Sequence, residues 1–525
     1  MGRNNINPDT NSESITLNVE ESGEKEHLEE RITKQIAKGG GISLFGRVIG
    51  KVIKFGFQVF LTRILGASIY GIYALGHNIF SISQTFSRLG LNNGVVRFGS
   101  IYEGDGDKSR LKGTIIGSLL ITFLFSVLIA AILYSFKGFI AQNLFDKPSL
   151  IPVIGAFSLS LPFYAFMVVA AFSARIFRQM LYDVGLRLII HPLTLMISAV
   201  VTFLLGFGLI GVVFGFFASS LLSALVGCYL LWRLFPELLS GLKPKFDIKK
   251  LLGYSVIVLL SGMSVILLSR ADRVMLGAFT VASDVGVYNA AAIMAGQLVI
   301  FLESFNAIFS PMIANLYDKG KINTLNNSLK LTTKWIFTFT FPIFLTFLLF
   351  SKQIMGLYGD EFVVGWPVLV GLASAQLINA SVGPVGFILT MTENEKLELA
   401  NNLIMGGLNI ILNFLLIPRF GILGAVVATG FSISLVNIVK LLEVYNIHNI
   451  HPYDWSFLKP ATAGLLAMII FFVIEKLIGL HRNFWFAGVM IFSCIYFGAL
   501  FALKLEEEDR LILRAVLNKL VGWRG

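Results

Sequence analysis

Apolar runs of about 20 residues, separated by short polar gaps, recur along almost the whole chain, and nothing in the sequence constrains its fold more. A run of that length covers the hydrocarbon layer of a bilayer as a helix. No water is available there for the backbone amides, so each segment must satisfy its own hydrogen bonds. The runs predict crossing helices near 42–64, 69–91, 112–135, 150–171, 186–206, 209–233, 250–270, 285–308, 331–351, 363–390, 397–418, 422–442, 458–478 and 483–503. The expected fold is therefore all-α, a polytopic membrane protein of about 14 transmembrane helices. Composition agrees: 55% of the 525 residues are hydrophobic and 14% charged, which leaves too little charge to wet a soluble domain of this length. The 47 Phe residues suit surfaces that face lipid.

The net charge of +11 does not point to nucleic acid, because the basic residues are scattered at the ends of apolar runs and form no soluble basic face. Positive charge retained in cytoplasmic loops explains them better. An even number of spans puts both termini on one side, and the Lys/Arg bias makes that side cytoplasmic, with the plasma membrane as the expected location. No cleavable signal peptide is visible, so the first apolar run is read as a signal anchor. Residues 1–40 form a polar cytoplasmic tail, with an acidic stretch from Glu13 to Glu30 expected to be flexible or a loose surface helix. Residues 504–525 place Leu511, Ile512, Val516, Leu517 and Leu520 among charges, the pattern of an amphipathic helix lying on the inner leaflet. Cys228 and Cys494 sit inside apolar runs and suggest neither a disulfide nor a metal site. No cofactor is expected.

The chain repeats itself weakly. Phe207-Gly208-Leu209-Ile210-Gly211-Val212-Val213 parallels Phe420-Gly421-Ile422-Leu423-Gly424-Ala425-Val426. Leu65-Gly66 followed by Tyr70-Gly71-Ile72-Tyr73 parallels Leu276-Gly277 followed by Val285-Gly286-Val287-Tyr288. The offsets are similar and in the same order, which divides the chain into a six-helix bundle over 41–236, a basic cytoplasmic linker over 237–250 and a second six-helix bundle over 251–445. Additional helices 13 and 14 follow over 446–503. Two bundles of even helix number share an orientation and are related by a pseudo-two-fold axis along the membrane normal, an arrangement suited to alternating access.

The first span breaks the hydrophobic rule. Arg47, Lys51, Lys54 and Gln58 fall within about 60° of one another at helical spacing, a cationic stripe that runs from the cytoplasmic end towards mid-membrane. A Lys or Arg at the centre of a span costs roughly 2.5–3.5 kcal/mol on insertion scales. Snorkelling accounts for Arg47 near the interface but not for Lys54, seven residues and about 10 Å further in at 1.5 Å per residue. The stripe is expected to face a cavity. Polar stripes recur in the second span (His77, Ser81, Gln84, Arg88), the fifth (Arg187, His191, Thr194, Ser198) and the eleventh (Asn402, Asn409, Asn413). Interhelical hydrogen bonding explains many of these equally well, and Arg187 is expected at the interface. The seventh span is expected to end on Arg270, Asp272 and Arg273 near the outer mouth, with Asp272 neutralising one Arg. Glu303 reads as a buried acid in the eighth span, able to pair with a cavity cation or carry a proton. The tenth span carries Gln376 and Asn379 and is expected to break at Gly383-Pro384. Gly46-Arg47-Val48-Ile49-Gly50-Lys51 lacks the spacing and the following Ser or Thr of a phosphate-binding loop, and the loops are too short for an active-site domain, so no enzyme is expected.

A cationic cavity with apolar walls favours an amphiphile with a phosphate head. Several segments add a resemblance: Thr62 to Tyr73, Ser87-Arg88-Leu89-Gly90-Leu91 through Val96-Arg97-Phe98, Asp272 to Gly277 with Val285 to Tyr288, and Leu416 to Ala425. As a set, over residues 35–445, they resemble the polysaccharide and O-antigen flippases of the multidrug/oligosaccharidyl-lipid/polysaccharide exporter superfamily. That resemblance implies a V-shaped twelve-helix core, a polyprenyl-linked oligosaccharide as substrate, membrane lipids and glycosyltransferases or a polymerase of a glycan pathway as partners. By location it assigns Arg47, Lys51, Lys54 and Arg88 to the anionic head group. The other cavity or coupling candidates are Gln58, His77, Gln84, Arg270, Asp272, Arg273, Glu303, Asn402 and Asn409. A cation-coupled multidrug antiporter on the same fold would need acidic residues where this chain offers cations. A non-transporting scaffold of glycan assembly would have no reason to keep charges so deep.

Overall fold

The structure, a computed structural model, describes residues 10–478 and 485–503, with side chains from Ile49 onward except at five positions within 261–268. The expected amphipathic tail at 504–525 and the Arg47 side chain lie outside the described residues. Every regular element described is helical. In chain order they are α1 (Thr10–Ser87), α2 (Leu91–Gly104), α3 (Lys108–Phe139), α4 (Leu150–Ser173), α5 (Met180–Leu204), α6 (Gly208–Leu234) and α7 (Ile248–Phe279). There follow α8 (Ala282–Asp318), α9 (Ile322–Leu349), α10 (Trp366–Ser381), α11 (Val385–Met391), α12 (Glu395–His448), α13 (Leu458–Ile478) and α14 (Trp485–Ala502). The acidic stretch of the N-terminal tail is helical from Thr10 and runs into the first crossing arm without a break.

Eleven of the described helices are long and apolar enough to cross a membrane. Two of them turn back on themselves. Gly66 stands at φ 68°, a left-handed conformation that favours glycine, and splits α1 into two arms. Lys51 and Gln84 would be about 50 Å apart along a straight helix, yet they line one cavity, so the chain reverses at Gly66. Gly421, at φ 55°, does the same in α12. There Lys440 Nζ donates to Glu398 Oε1 at 2.6 Å, although the two residues are 42 positions apart. With these reversals, and with the 32-residue α7 added, the crossing arms number about fourteen. This is a multi-pass membrane protein.

One boundary differs from expectation and one agrees with it. The seventh span does not end at Arg270; α7 continues to Phe279, because Arg270, Asp272 and Arg273 face an internal cavity and their charges do not have to leave the membrane. The tenth span does break: α10 stops at Ser381, Gly383 takes φ 71°, and the short α11 begins after Pro384.

The largest apolar core joins both arms of α1 to α4, α8, α9 and α10, and takes in Tyr288, Tyr358 and Phe362, all essentially unexposed. It gathers at the end of the bundle where the turns at Gly66, 145–149, 280–281 and 357–365 lie, and that end is shut. Backbones touch there: a Cβ on Gly71 would overlap the Ala282 carbonyl, and one on Gly286 would overlap the Ala67 carbonyl. Arg63 Nε donates to Leu357 O at 2.8 Å, and the Ala67 amide donates to Glu361 Oε2 at 2.7 Å. Lys147, in the connection before α4, donates to Gly277 O at 2.7 Å and Thr280 O at 2.8 Å, which satisfies open carbonyls at the C-terminus of α7. Burial lowers the pKa of this ammonium from its ordinary value.

α13 and α14 pack on each other and on α9. Tyr496 Oη donates to Thr338 O at 2.9 Å, and Gly464 lets the ring of Phe341 come close. Cys228 and Cys494 are free and exposed.

Candidate functional site: a cavity in two chambers

The open interior contains two adjoining chambers. The first, of about 500 Å³, lies between both arms of α1, α4, α5, α6, α7 and α8. Lys51, Lys54 and Gln58 line it from the first arm, and His77 and Gln84 from the second. The helical spacing does what the sequence implied, since one face of the arm presents all three first-arm groups to the same space. Arg187 and Arg270 complete the cationic lining. Phe55, Tyr73, Phe80, Tyr164 and Phe216 form the walls.

The cations are held in different ways. Lys51 Nζ donates to Glu303 Oε2 at 2.9 Å, with the two side chains 32% and 56% exposed. Glu303 is therefore not the buried acid expected from its place in an apolar run; it stands at the cavity edge and tethers α8 to α1. Among the described residues Lys54 donates to no protein oxygen. Arg270 Nη1 donates to Asn78 Oδ1 at 2.6 Å. Arg187 is not the interfacial charge its position suggested. Asp183, 1% exposed, accepts from both Arg187 and Arg175, and both guanidinium groups lie over the Phe172 ring, at 4.6 and 4.1 Å. One carboxylate is thus shared by two cations, which leaves a net positive charge beside the chamber. Gln58 Nε2 is buried without a protein partner.

His77 sits in an aromatic nest, stacked on Tyr73 with centroids 6.1 Å apart and edge-on to Phe157 and Phe216. The fifth-span stripe divides by role. Thr194 bonds Ser219 and Ser198 bonds Gly215 O, so these hydroxyls hold α5 to α6. His191 reaches the cavity lining. Arg88 is not among the lining residues; its guanidinium bonds back to Gln84 O and Thr85 Oγ1 at the end of α1.

The second chamber, of about 570 Å³, lies between α7, α8, α10 and the two arms of α12. His77, Ser269, Arg270, Asn289 and Ile293 line both chambers, so the two communicate there. Asp272 and Arg273 belong to this inner lining and not to an outer mouth. Asp272 pairs with neither neighbouring Arg side chain: Oδ2 accepts from Tyr288 Oη at 2.6 Å and Oδ1 from the Arg273 amide at 2.8 Å. Arg273 donates instead to Ser269 O. Asn409 Nδ2 donates to Thr429 Oγ1, and Asn402 bonds both Glu398 and Lys440. Asn289, Thr429, Ser432 and Asn437 were not legible as cavity residues, because single polar residues in apolar runs carry no periodic signal. Among the described residues no group of three or more His, Cys, Asp or Glu is placed to hold a metal ion.

Residues 36–317, just over half of the chain, match the family described as polysaccharide biosynthesis protein. A probable low-salt glycan biosynthesis flippase, Agl15, of Haloferax volcanii is 27% identical over 54% of this chain, and the match spans 59% of that relative. An uncharacterized membrane protein of Methanocaldococcus jannaschii is 22% identical over 83% of this chain and 89% of its own length. Among solved structures, the lipid II flippase MurJ in an inward closed conformation superposes with a TM-score of 0.67 at 15% identity, over 88% of this chain and 98% of that one. An inward-facing MATE family transporter of the MOP superfamily superposes with a TM-score of 0.62 at 14% identity, over 78% and 98%. At such identities the likeness is one of fold. Together with the match over residues 36–317, it places the chain in the polysaccharide biosynthesis protein family, on the fold shared by MurJ and the MATE transporters.

Proposed function

We propose that the protein is a flippase that moves a lipid-linked oligosaccharide of the polyprenyl-pyrophosphate type from the inner to the outer leaflet of the plasma membrane, for synthesis of a cell-surface glycan. The observation that carries this reading is the first chamber, where Lys51, Lys54, Arg187 and Arg270 converge between aromatic walls inside a membrane bundle. Such a site attracts a diphosphate strongly, because charge–charge attraction grows as water is excluded. The similarity to a probable glycan biosynthesis flippase and to a second probable flippase of Haloferax volcanii supports the same substrate class. The shut end, held by Arg63, Lys147 and Glu361, is taken as the outer face, which puts both termini in the cytoplasm. The six-helix units 41–236 and 251–445 would rock about the cavity, opening this end as the other closes. The lipid tail stays in the bilayer, and glycosyltransferases of the pathway deliver the substrate. In this cycle Glu303 keeps Lys51 occupied until a phosphate replaces it.

The experiment is binding of undecaprenyl pyrophosphate to purified protein and to the double variant K51E/K54E. The proposal expects affinity to fall at least a hundredfold, since two attractions become two repulsions. Equal affinity of the two proteins would remove the phosphate site. The MATE likeness raises a drug-antiport reading, but a cationic chamber repels the organic cations such antiporters carry. A drug-accumulation assay that showed export dependent on this protein would favour it.

A further inference from the structure

The two chambers differ in chemistry as well as position. Cations and aromatic rings dominate the first; the second carries Arg270 and Arg273 on its α7 side, and carboxamides and hydroxyls make up most of its polar lining elsewhere. Asn289, Gln376, Asn379, Asn402, Asn409 and Asn437 all line the second chamber. A carboxamide both donates and accepts, as a sugar hydroxyl does, so a wall of amides matches a polyhydroxylated ligand better than an ionic or an apolar one. Asp272, the acid among the lining residues, is buried and each of its oxygens already accepts a hydrogen bond, from Tyr288 Oη and from the Arg273 amide. The volume of about 570 Å³ lies within the range of built ligand sites, roughly 300–1,000 Å³.

We propose that the second chamber is the glycan site, and that the neutral sugars of the substrate occupy it while the pyrophosphate remains in the first chamber. This rests on the flippase reading above and adds to it the place where the glycan is recognised. Connectivity supports the division. Arg270 and Asn289 line both chambers, so a head group held by Lys54 and Arg270 passes its sugar directly into the amide-lined space. Most of the amides there are fixed by protein partners: Asn289 donates to Tyr70 Oη, Asn437 to Ile433 O, and Asn402 to Glu398. These residues shape the wall. Gln376 and Asn379 are different. They are half-buried, one turn apart on α10, and joined to each other by one bond of 3.2 Å, which leaves their remaining donors and acceptors to whatever fills the chamber. They are the residues assigned here to direct sugar contact.

The test uses the full chain in lipid nanodiscs with two probes: undecaprenyl pyrophosphate, and the same lipid bearing an uncharged disaccharide. Wild type is expected to bind the sugar-bearing lipid about tenfold or more tightly than the bare one, the scale of one or two satisfied hydrogen bonds. The double variant Q376L/N379L is expected to lose that preference and keep its affinity for the bare lipid. If that variant does not fold, the single variant Q376A reads the same preference, with a reduction of about threefold or more. Two results overturn the proposal while leaving the phosphate site standing: wild type that binds both lipids equally, or a variant that keeps the full preference. A wild type that binds neither lipid overturns the flippase reading and this inference with it.

Discussion

Asp183 carries more of the site than its position suggests. It is fully buried, accepts from two guanidinium groups, and fixes Arg187 at the edge of the first chamber. Asp183→Asn leaves two cations sharing a neutral amide. Removing one partner of a buried ion pair costs about 3–5 kcal/mol, and because both Arg side chains keep some exposure, the low end applies here. Thermal unfolding in detergent should show a drop of several degrees, and an unchanged midpoint would contradict the role given to this carboxylate. The Lys51–Glu303 pair is the opposite case. Both side chains are substantially exposed, so the pair is worth about 0–1 kcal/mol and is easily exchanged for a phosphate. Glu303→Gln should therefore strengthen binding of undecaprenyl pyrophosphate by about two- to fivefold in a titration; weaker binding would show that Glu303 supports the site and does not compete for it. Lys51 and Lys54 were legible in the sequence because a charge deep in an apolar run has one plausible direction to face. Arg187 was not, since its cavity position depends on Asp183 and on the π-helical turn at Gly185–Ile190. Glu303 was misread as buried because an apolar neighbourhood in sequence was taken for one in space.

At the scale of elements, glycine decides where arms reverse and where they touch. The reversals at Gly66 and Gly421 were expected as short gaps between spans, at 64–69 and 418–422. The break at Gly383-Pro384 was readable from residue chemistry alone. The extension of α7 to Phe279 was not, because hydropathy ends a span at its charges while a cavity on one face lets the helix continue. The backbone contact of Gly71 with Ala282 was equally invisible, since nothing in one sequence says which helices meet there. It gives a sharp prediction. Gly71→Val places branched carbon inside the Ala282 carbonyl and should force the shut end apart. Hydrogen exchange of the segment 357–365, which is held by Arg63, should then rise at least tenfold. Unchanged protection would mean the crossing of α1 and α8 does not set the closure.

The whole molecule combines a membrane fold legible from apolar run lengths with a site that only partly was. Roughly fourteen crossing arms and an all-helical fold follow from hydrophobic length and the need to bond every amide inside lipid. The division of the cavity into a cationic chamber and an amide-lined one required three dimensions, because α10 and the arms of α12 contribute to the second chamber from far along the chain. The central claim is that this cavity carries a lipid-linked glycan across the bilayer on its first-arm cations. The most direct measurement is flipping in proteoliposomes of undecaprenyl pyrophosphate bearing a fluorescent oligosaccharide, with the exposed label quenched from outside. Wild type should flip the lipid at least tenfold faster than protein-free vesicles, and K51E/K54E should return to the protein-free rate. Wild-type vesicles no faster than empty ones, or a charge-reversed protein as fast as wild type, would contradict the account.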